Sequence, residues 1–175
     1  MTPCDASRLS LLAARDARQA ELERWAGAAG ARPPALVALS LAIPGAEKAP
    51  PGSPELFAWG EAALSGALPR LRRLYRADDA LGPFAVFEAA GEPRVVKERC
   101  IAVEGAQPAA RLLDLDVYGP GLAPVDRAAL GLPPRACLCC GEPARECIRA
   151  GRHSFAELAA RARELLGSLR AGGQP

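Results

Sequence analysis

The segment Arg111-Leu112-Leu113-Asp114-Leu115-Asp116-Val117 decides how this chain is read. Leu112, Asp114 and Asp116 alternate with Leu113, Leu115 and Val117, and a period of two marks a β-strand with one buried face. Both aspartates then project from the same side of a sheet. Aspartate is a poor strand former, so a pair inside this apolar run needs a reason. Two carboxylates so placed are close enough to share one hard divalent cation. Mg²⁺ held in this way neutralises a phosphate under attack in phosphoryl- and nucleotidyl-transfer chemistry. A solvated strand face is the plainer explanation of the same triplet.

Working outward, Leu36–Ile43 is a short apolar run bounded by Pro and Gly, the pattern of a buried strand. Before it, Asp5 to about Ala28 reads as an amphipathic helix. Leu9, Leu12, Ala13, Ala17, Ala20 and Leu22 form its apolar side, and Arg8, Arg15, Arg18 and Glu21 its polar side. Ser53-Pro54-Glu55 looks like the start of a second helix, with Ser53 as cap, running to about Leu68. Arg70, Arg72, Arg73 and Arg76 follow as a solvated helix-end face. Phe84–Glu88 and Arg94–Val103 read as paired strands about an Ala90-Gly91-Glu92 turn. A last helix spans Ser154 to about Leu169, opened by a Ser154/Glu157 capping box. The expected architecture is α+β, with helices packed on a mixed sheet and a cysteine-rich C-terminal lobe. It forms one domain over residues 1–170, with a frayed tail at 171–175.

Composition narrows the functional classes. The chain has 175 residues, half of them apolar and 24% charged, enough for one buried core. A net charge of +2 argues against a polybasic nucleic-acid binder or a protein held on a membrane by charge. No apolar run approaches the ~20 residues of a spanning helix. The N-terminus shows no secretory pattern, so a cytoplasmic location is expected, with cysteines as thiols or metal ligands. No P-loop and no dinucleotide fingerprint occurs, and a Ser-His-Asp hydrolase would have to use His153, the single histidine.

Two further groupings carry chemistry. Cys137, Cys140, Cys147 and His153 form a C-x2-C-x6-C-x5-H array, a donor set suited to tetrahedral Zn²⁺. The Gly141-Glu142-Pro143 turn is placed to fold the chain back on such a metal. Reduced core thiols beside a surface histidine are the alternative, and Cys139 leaves open which thiols group together. Arg149, Arg152, His153 and Ser154 open the last helix, where free N–H groups and arginines make an anion site or simply a solvated basic loop.

These residues resemble a bacterial family. The likeness rests on Leu39-Ser40-Leu41-Ala42-Ile43-Pro44-Gly45 with Lys48, on Arg111–Val117, and on Leu130-Gly131-Leu132-Pro133-Pro134-Arg135 running into Cys137, Cys140, Cys147, Arg149 and Arg152-His153-Ser154. The family is the apo-citrate lyase phosphoribosyl-dephospho-CoA transferase, or holo-acyl carrier protein synthase of citrate lyase. The resemblance implies transfer of phosphoribosyl-dephospho-CoA from 2′-(5″-triphosphoribosyl)-3′-dephospho-CoA to a serine of the apo-acyl carrier protein subunit of citrate lyase. Diphosphate is released. On charge and spacing, Asp114 and Asp116 fit the Mg²⁺ role, Lys48, Arg111, Arg149 and Arg152 are candidates for holding phosphates, and His153 for accepting the serine proton. The chain departs from the family pattern at Glu104–Ala110, at Ala42, where Asn is usual, and at Ala150-Gly151, where Ser-Arg is usual. A non-catalytic, zinc-stabilised docking partner of a lyase subunit is the competing reading.

Overall fold

A computed structural model describes residues 3–27 and 35–171. Its centre is β1 (Ala35–Leu41), every residue of which is buried except Ser40. Five strands form one sheet in the order β2-β3-β1-β4-β5, with β2 at Leu71–Asp79, β3 at Gly82–Ala89, β4 at Leu113–Tyr118 and β5 at Pro124–Val125. Every ladder is antiparallel, so the α+β class is as expected but the sheet is not mixed. The reason is local. No helical crossover joins neighbouring parallel strands, and β2 and β3 connect through a tight hairpin.

The sheet has two unlike faces. Val37, Leu39 and Leu41 of β1 and Leu113, Leu115 and Val117 of β4 enter the main core with α2 (Ser53–Ala67), α3 (Pro93–Glu104) and the C-terminal helix at Phe155–Ala171. On the other face Leu36, Ala38, Phe84 and Val86 pack beneath Leu22 of α1 (Pro3–Gly27). Contact with α1 involves Ala14 and Leu22, whereas Leu9 and Leu12 are exposed. The inward stripe is thus rotated from the expected one, and it carries Arg18 between those two residues. Of the tail expected to fray, residues 172–175 lie outside the described residues, as does Ala28 at the first helix's expected end. Among the described residues no helix is long and apolar enough to cross a membrane.

Three expectations are corrected. Arg94–Val103 is helical: Glu92 accepts the N–H groups of Arg94 and Val95, Pro93 opens α3, and Val96, Cys100 and Val103 bury one face at helical spacing. The arginine cluster lies on and beside edge strand β2. Arg72 pairs with Glu88, Arg73 with Glu61, and Arg76 with Asp78 and Glu61. Charged side chains along a sheet edge discourage pairing with other chains. Finally, Ser53 is not the cap of α2. Gly52 occupies that position at φ 100°, with the position of its missing Cβ 3.2 Å from Leu166 Cβ, and Ser53 is buried as the first helical residue.

A carboxylate cleft beside a cysteine cluster

Strand β4 does what its alternation implies. Asp114 stands opposite Ser40 and Asp116 opposite Ala38 on β1, so both carboxylates occupy the α1 face. They form the floor of a cleft of ≈ 770 Å³ that is walled by Arg15, Asp16, Arg18 and Gln19 of α1. Water reaches Asp116, yet the concave surroundings strip part of its hydration. That desolvation, followed by repulsion from Asp114, raises its pKa. Tyr118, next on the same face, is pushed up to about 12 by burial and then by Asp116 and Asp114, so its phenol stays protonated. A cation shared by the two aspartates would relieve this repulsion, and the donors are hard oxygens. The cleft therefore fits Mg²⁺ chemically.

Helix α1 is held over this floor by Arg18. Its Nε and Nη2 donate to Asp79 at 2.8 and 2.7 Å, and Nη2 also donates to the Gly82 carbonyl at 2.7 Å. The guanidinium lies 4.7 Å from the centre of the Phe84 ring. For Asp79, burial works to raise the pKa, but the Arg18 and Leu81 hydrogen bonds outweigh it and leave it lowered. One arginine thus locks the cleft wall to the β2–β3 hairpin.

Behind the cleft, β4 has an edge that β5 covers only at Val117 and Tyr118. Side chains complete it. Lys97 Nζ donates to the Leu115 carbonyl at 2.6 Å, and the Leu115 N–H donates to Glu104 Oε1 at 3.0 Å. Arg135 donates to Glu104 Oε1 at 2.6 Å and to the Leu113 carbonyl at 3.1 Å, with Nη2 3.5 Å from Asp114 Oδ1. Lys97 and Glu104 are 6% and 7% exposed, and each owes its tolerance in the core to these partners.

Past Arg135 the chain forms a tight knuckle. Cys137 N–H donates to the Glu142 carbonyl and Ala144 N–H to the Arg135 carbonyl, at 2.8 and 2.9 Å, so the Gly141-Glu142-Pro143 turn does fold the chain back. Helix α4 (Ala144–Arg149) then returns Cys147 to the same point. The ligand atoms of Cys137, Cys140, Cys147 and His153 all lie within 4.8 Å of one another, and this Cys₃His cluster could hold a metal such as zinc. Cys139 is exposed and stands outside the cluster, which settles the thiol grouping. Burial opposes ionisation of Cys137, but backbone N–H groups of Cys139 and Cys140 aimed at its sulfur lower its pKa overall, a setting that favours thiolate.

The other candidate residues are placed as follows. Arg111 lies in a short 3₁₀ turn (Ala109–Leu112) before β4 and donates to the Cys137 carbonyl at 2.8 Å. His153 faces Cys140, with Nε2 3.3 Å from Sγ. Lys48 Nζ donates to the Ile43 carbonyl at 3.2 Å, and Arg149 pairs with Glu146. None of Lys48, Arg111, Arg149, Arg152 and His153 lines the carboxylate cleft. At Ser154 the capping box forms, and the Glu157 carboxylate accepts the Ser154 N–H at 2.8 Å, taking up part of the expected anion site. Sequence reading missed Arg15 and Arg18, treated only as a polar helix face, and missed Lys97, Glu104 and Arg135. The Val96/Cys100/Val103 spacing was the available signal for helix α3 and its buried charges.

The family described as apo-citrate lyase phosphoribosyl-dephospho-CoA transferase matches residues 7–168. The chain belongs to this family. Curated proteins of that name from Escherichia coli O139:H28 (strain E24377A / ETEC) and Shigella boydii serotype 18 (strain CDC 3083-94 / BS512) are each 31% identical over 163 residues. Those alignments take in 91% of this chain and 87% of each relative. The transferase family match therefore spans most of α1, the carboxylate strand and the cysteine knuckle.

Proposed function

We propose that this chain is an enzyme that attaches phosphoribosyl-dephospho-CoA to a serine of the apo-acyl carrier protein subunit of citrate lyase. The observation that carries this reading is the Asp114/Asp116 pair on the floor of a cleft walled by arginine-bearing α1, in a chain of the transferase family. A docking partner without chemistry has no use for two carboxylates side by side on one strand face, where Asp114 helps to raise the pKa of Asp116.

The reaction is a nucleotidyl-type transfer. The carrier serine oxygen forms a bond to the α-phosphorus of 2′-(5″-triphosphoribosyl)-3′-dephospho-CoA, the bond from that phosphorus to the bridging oxygen of the diphosphate breaks, and the serine proton leaves to solvent or a base. Asp114 and Asp116 would hold Mg²⁺, which supplies charge neutralisation at the phosphate oxygens. Arg15, exposed on the wall above them, is placed to receive the departing diphosphate, whereas Arg18 is already committed to Asp79. Arg135 brings positive charge to Asp114 from behind the cleft, and Arg111 lies farther off, at the knuckle. We assign Zn²⁺ to Cys137, Cys140, Cys147 and His153, and so read His153 as a ligand rather than the serine's proton acceptor.

Intact-mass spectrometry of apo-acyl carrier protein tests the reading. Incubation with this chain, Mg²⁺ and the triphosphoribosyl precursor should add one phosphoribosyl-dephospho-CoA, with no gain for the Asp114→Asn/Asp116→Asn variant. An unmodified carrier with the wild-type chain, or a modified one with the folded double variant, overturns it.

A further inference from the structure

We infer that the Cys₃His cluster is a closed zinc clasp whose work is to hold Arg135 against Glu104 and Asp114. The inference deepens the proposed function and rests on it for the meaning of Asp114. Three observations lead to it.

The first is ligand geometry. In a tetrahedron with Zn–S bonds of about 2.3 Å, neighbouring sulfurs stand about 3.8 Å apart. Cys140 Sγ is 3.4 Å from Cys147 Sγ and 3.3 Å from His153 Nε2, and the whole set lies within 4.8 Å. Four protein ligands leave no position for water or substrate, which is the pattern of a structural rather than a catalytic metal.

The second is the poverty of this lobe's core. Between Val117 and Ala162 the only buried side chains are Cys137 and Cys147. From Tyr118 to Ser154 the chain holds two 3₁₀ turns, the two-residue strand β5 and the six-residue helix α4, with Val125 and Leu138 half-buried against the main core, and so little burial does not by itself offset the ordering entropy. Metal ligation supplies the missing cross-link, because the free energy of ligand binding becomes free energy of folding.

The third is where the clasp leads. Arg135 lies two residues before Cys137, and its carbonyl accepts the Ala144 N–H that closes the knuckle. Its guanidinium bridges Glu104, the Leu113 carbonyl and Asp114. From the other side, Arg111 donates to the Cys137 carbonyl, so the knuckle is tied to the residues on both sides of Leu112 and Leu113. Arg135 is thus a positioning residue: it fixes Glu104, which holds the Leu115 N–H between the two aspartates.

The test combines metal content, hydrogen exchange and kinetics. Elemental analysis should find one zinc per purified chain, and Co²⁺ exchanged into the site should give tetrahedral d–d and thiolate charge-transfer bands that Cys147→Ser abolishes. Withdrawing zinc with a chelator, then restoring Mg²⁺, should speed exchange of the Leu115 amide while leaving the β1 amides slow. Arg135→Ala should keep its zinc yet show the same Leu115 exchange, with kcat for transfer lower by about a hundredfold and KM little changed. Arg135→Lys should recover part of that loss. A chain without zinc, or a zinc-free chain with unchanged Leu115 exchange, overturns the clasp. Should the wild-type chain transfer nothing, the functional reading falls, while metal content and amide exchange still decide the clasp.

Discussion

Lys97 Nζ donates a 2.6 Å hydrogen bond to the carbonyl of Leu115, the residue that separates the two cleft aspartates. A cation from α3 therefore stands behind the strand whose front carries two anions, and the strand's open edge is closed by a side chain where another β-strand would otherwise lie. Replacing Lys97 with Met keeps most of the volume but strands the carbonyl, which costs about 1–3 kcal/mol. Urea melts should show that loss. Glu104→Gln, which still accepts the Leu115 N–H, should cost less than Glu104→Leu.

Asp116 gives a pH signature of opposite sign to the usual carboxylate. Its folded pKa is raised, by burial and then by Asp114, so between the ordinary aspartate value of 3.8 and the raised one the folded state holds more protons than the unfolded. Its contribution therefore opposes folding near neutrality and fades as pH falls through that window. Asp116→Asn should raise the melting temperature of metal-free protein at pH 7, and the gain should vanish below pH 3.8. Mg²⁺ should narrow the gap by stabilising only the wild type. An equal melting temperature at both pH values would remove the strain argument for a cation.

Asp79 works in the other direction. Burial acts to raise its pKa, but the Arg18 and Leu81 hydrogen bonds leave it lowered, so the folded state is favoured above 3.8 and the benefit is lost as pH falls through the depressed value. Asp79→Asn should destabilise the chain by about 1–2 kcal/mol at pH 7, with the difference shrinking in acid. Proteolysis should cut α1 first in this variant, because Arg18 loses its bidentate partner.

Strands β1 and β4 and the last helix were legible because their signals are local and unopposed. Leu36–Ile43 has no polar residue except Ser40, β4 alternates without a break, and Ser154 and Glu157 form their capping box within one turn. The cysteine spacing named the four residues that the fold groups, with reduced core thiols as the open alternative. Helix α3 was hidden because Arg94, Lys97, Glu98 and Arg99 break up its apolar stripe. Two of the polar positions on its inner side, Lys97 and Glu104, serve a strand distant in sequence. Strand β2 was hidden for a related reason: its arginines find partners on α2 and β3 that only the fold supplies. Arg18 read as solvent-facing because its partner Asp79 is 61 residues away.

Gly60 shows how closely α2 approaches the carboxylate strand. A Cβ at this position would stand 3.0 Å from Leu113 Cδ2 and 3.3 Å from its Cδ1. Gly60→Ala makes the Leu113 methyl groups give way, an overpacking strain of about 1–3 kcal/mol set against the ~1 kcal/mol that Ala gains over Gly in a helix. Calorimetry should show the loss, and transfer measured well below the melting temperature should fall as well, since the displaced residue sits beside the cleft floor. Gly66→Ala, on the same helix with open space around it, should leave both unchanged or slightly improved.

The two faces of β4 give the chain an unusual sensitivity to frame within the protein itself. Removing one residue from the Gln107–Ala110 connection would delete nothing that binds or reacts. It would shift the strand by one position, turning Leu113 and Leu115 into the cleft and driving both carboxylates into the core packed by α2 and α3. Catalysis and folding would be lost in one stroke. Lengthening that connection by a whole strand repeat of two residues is the smallest change in its length that preserves the assignment of faces.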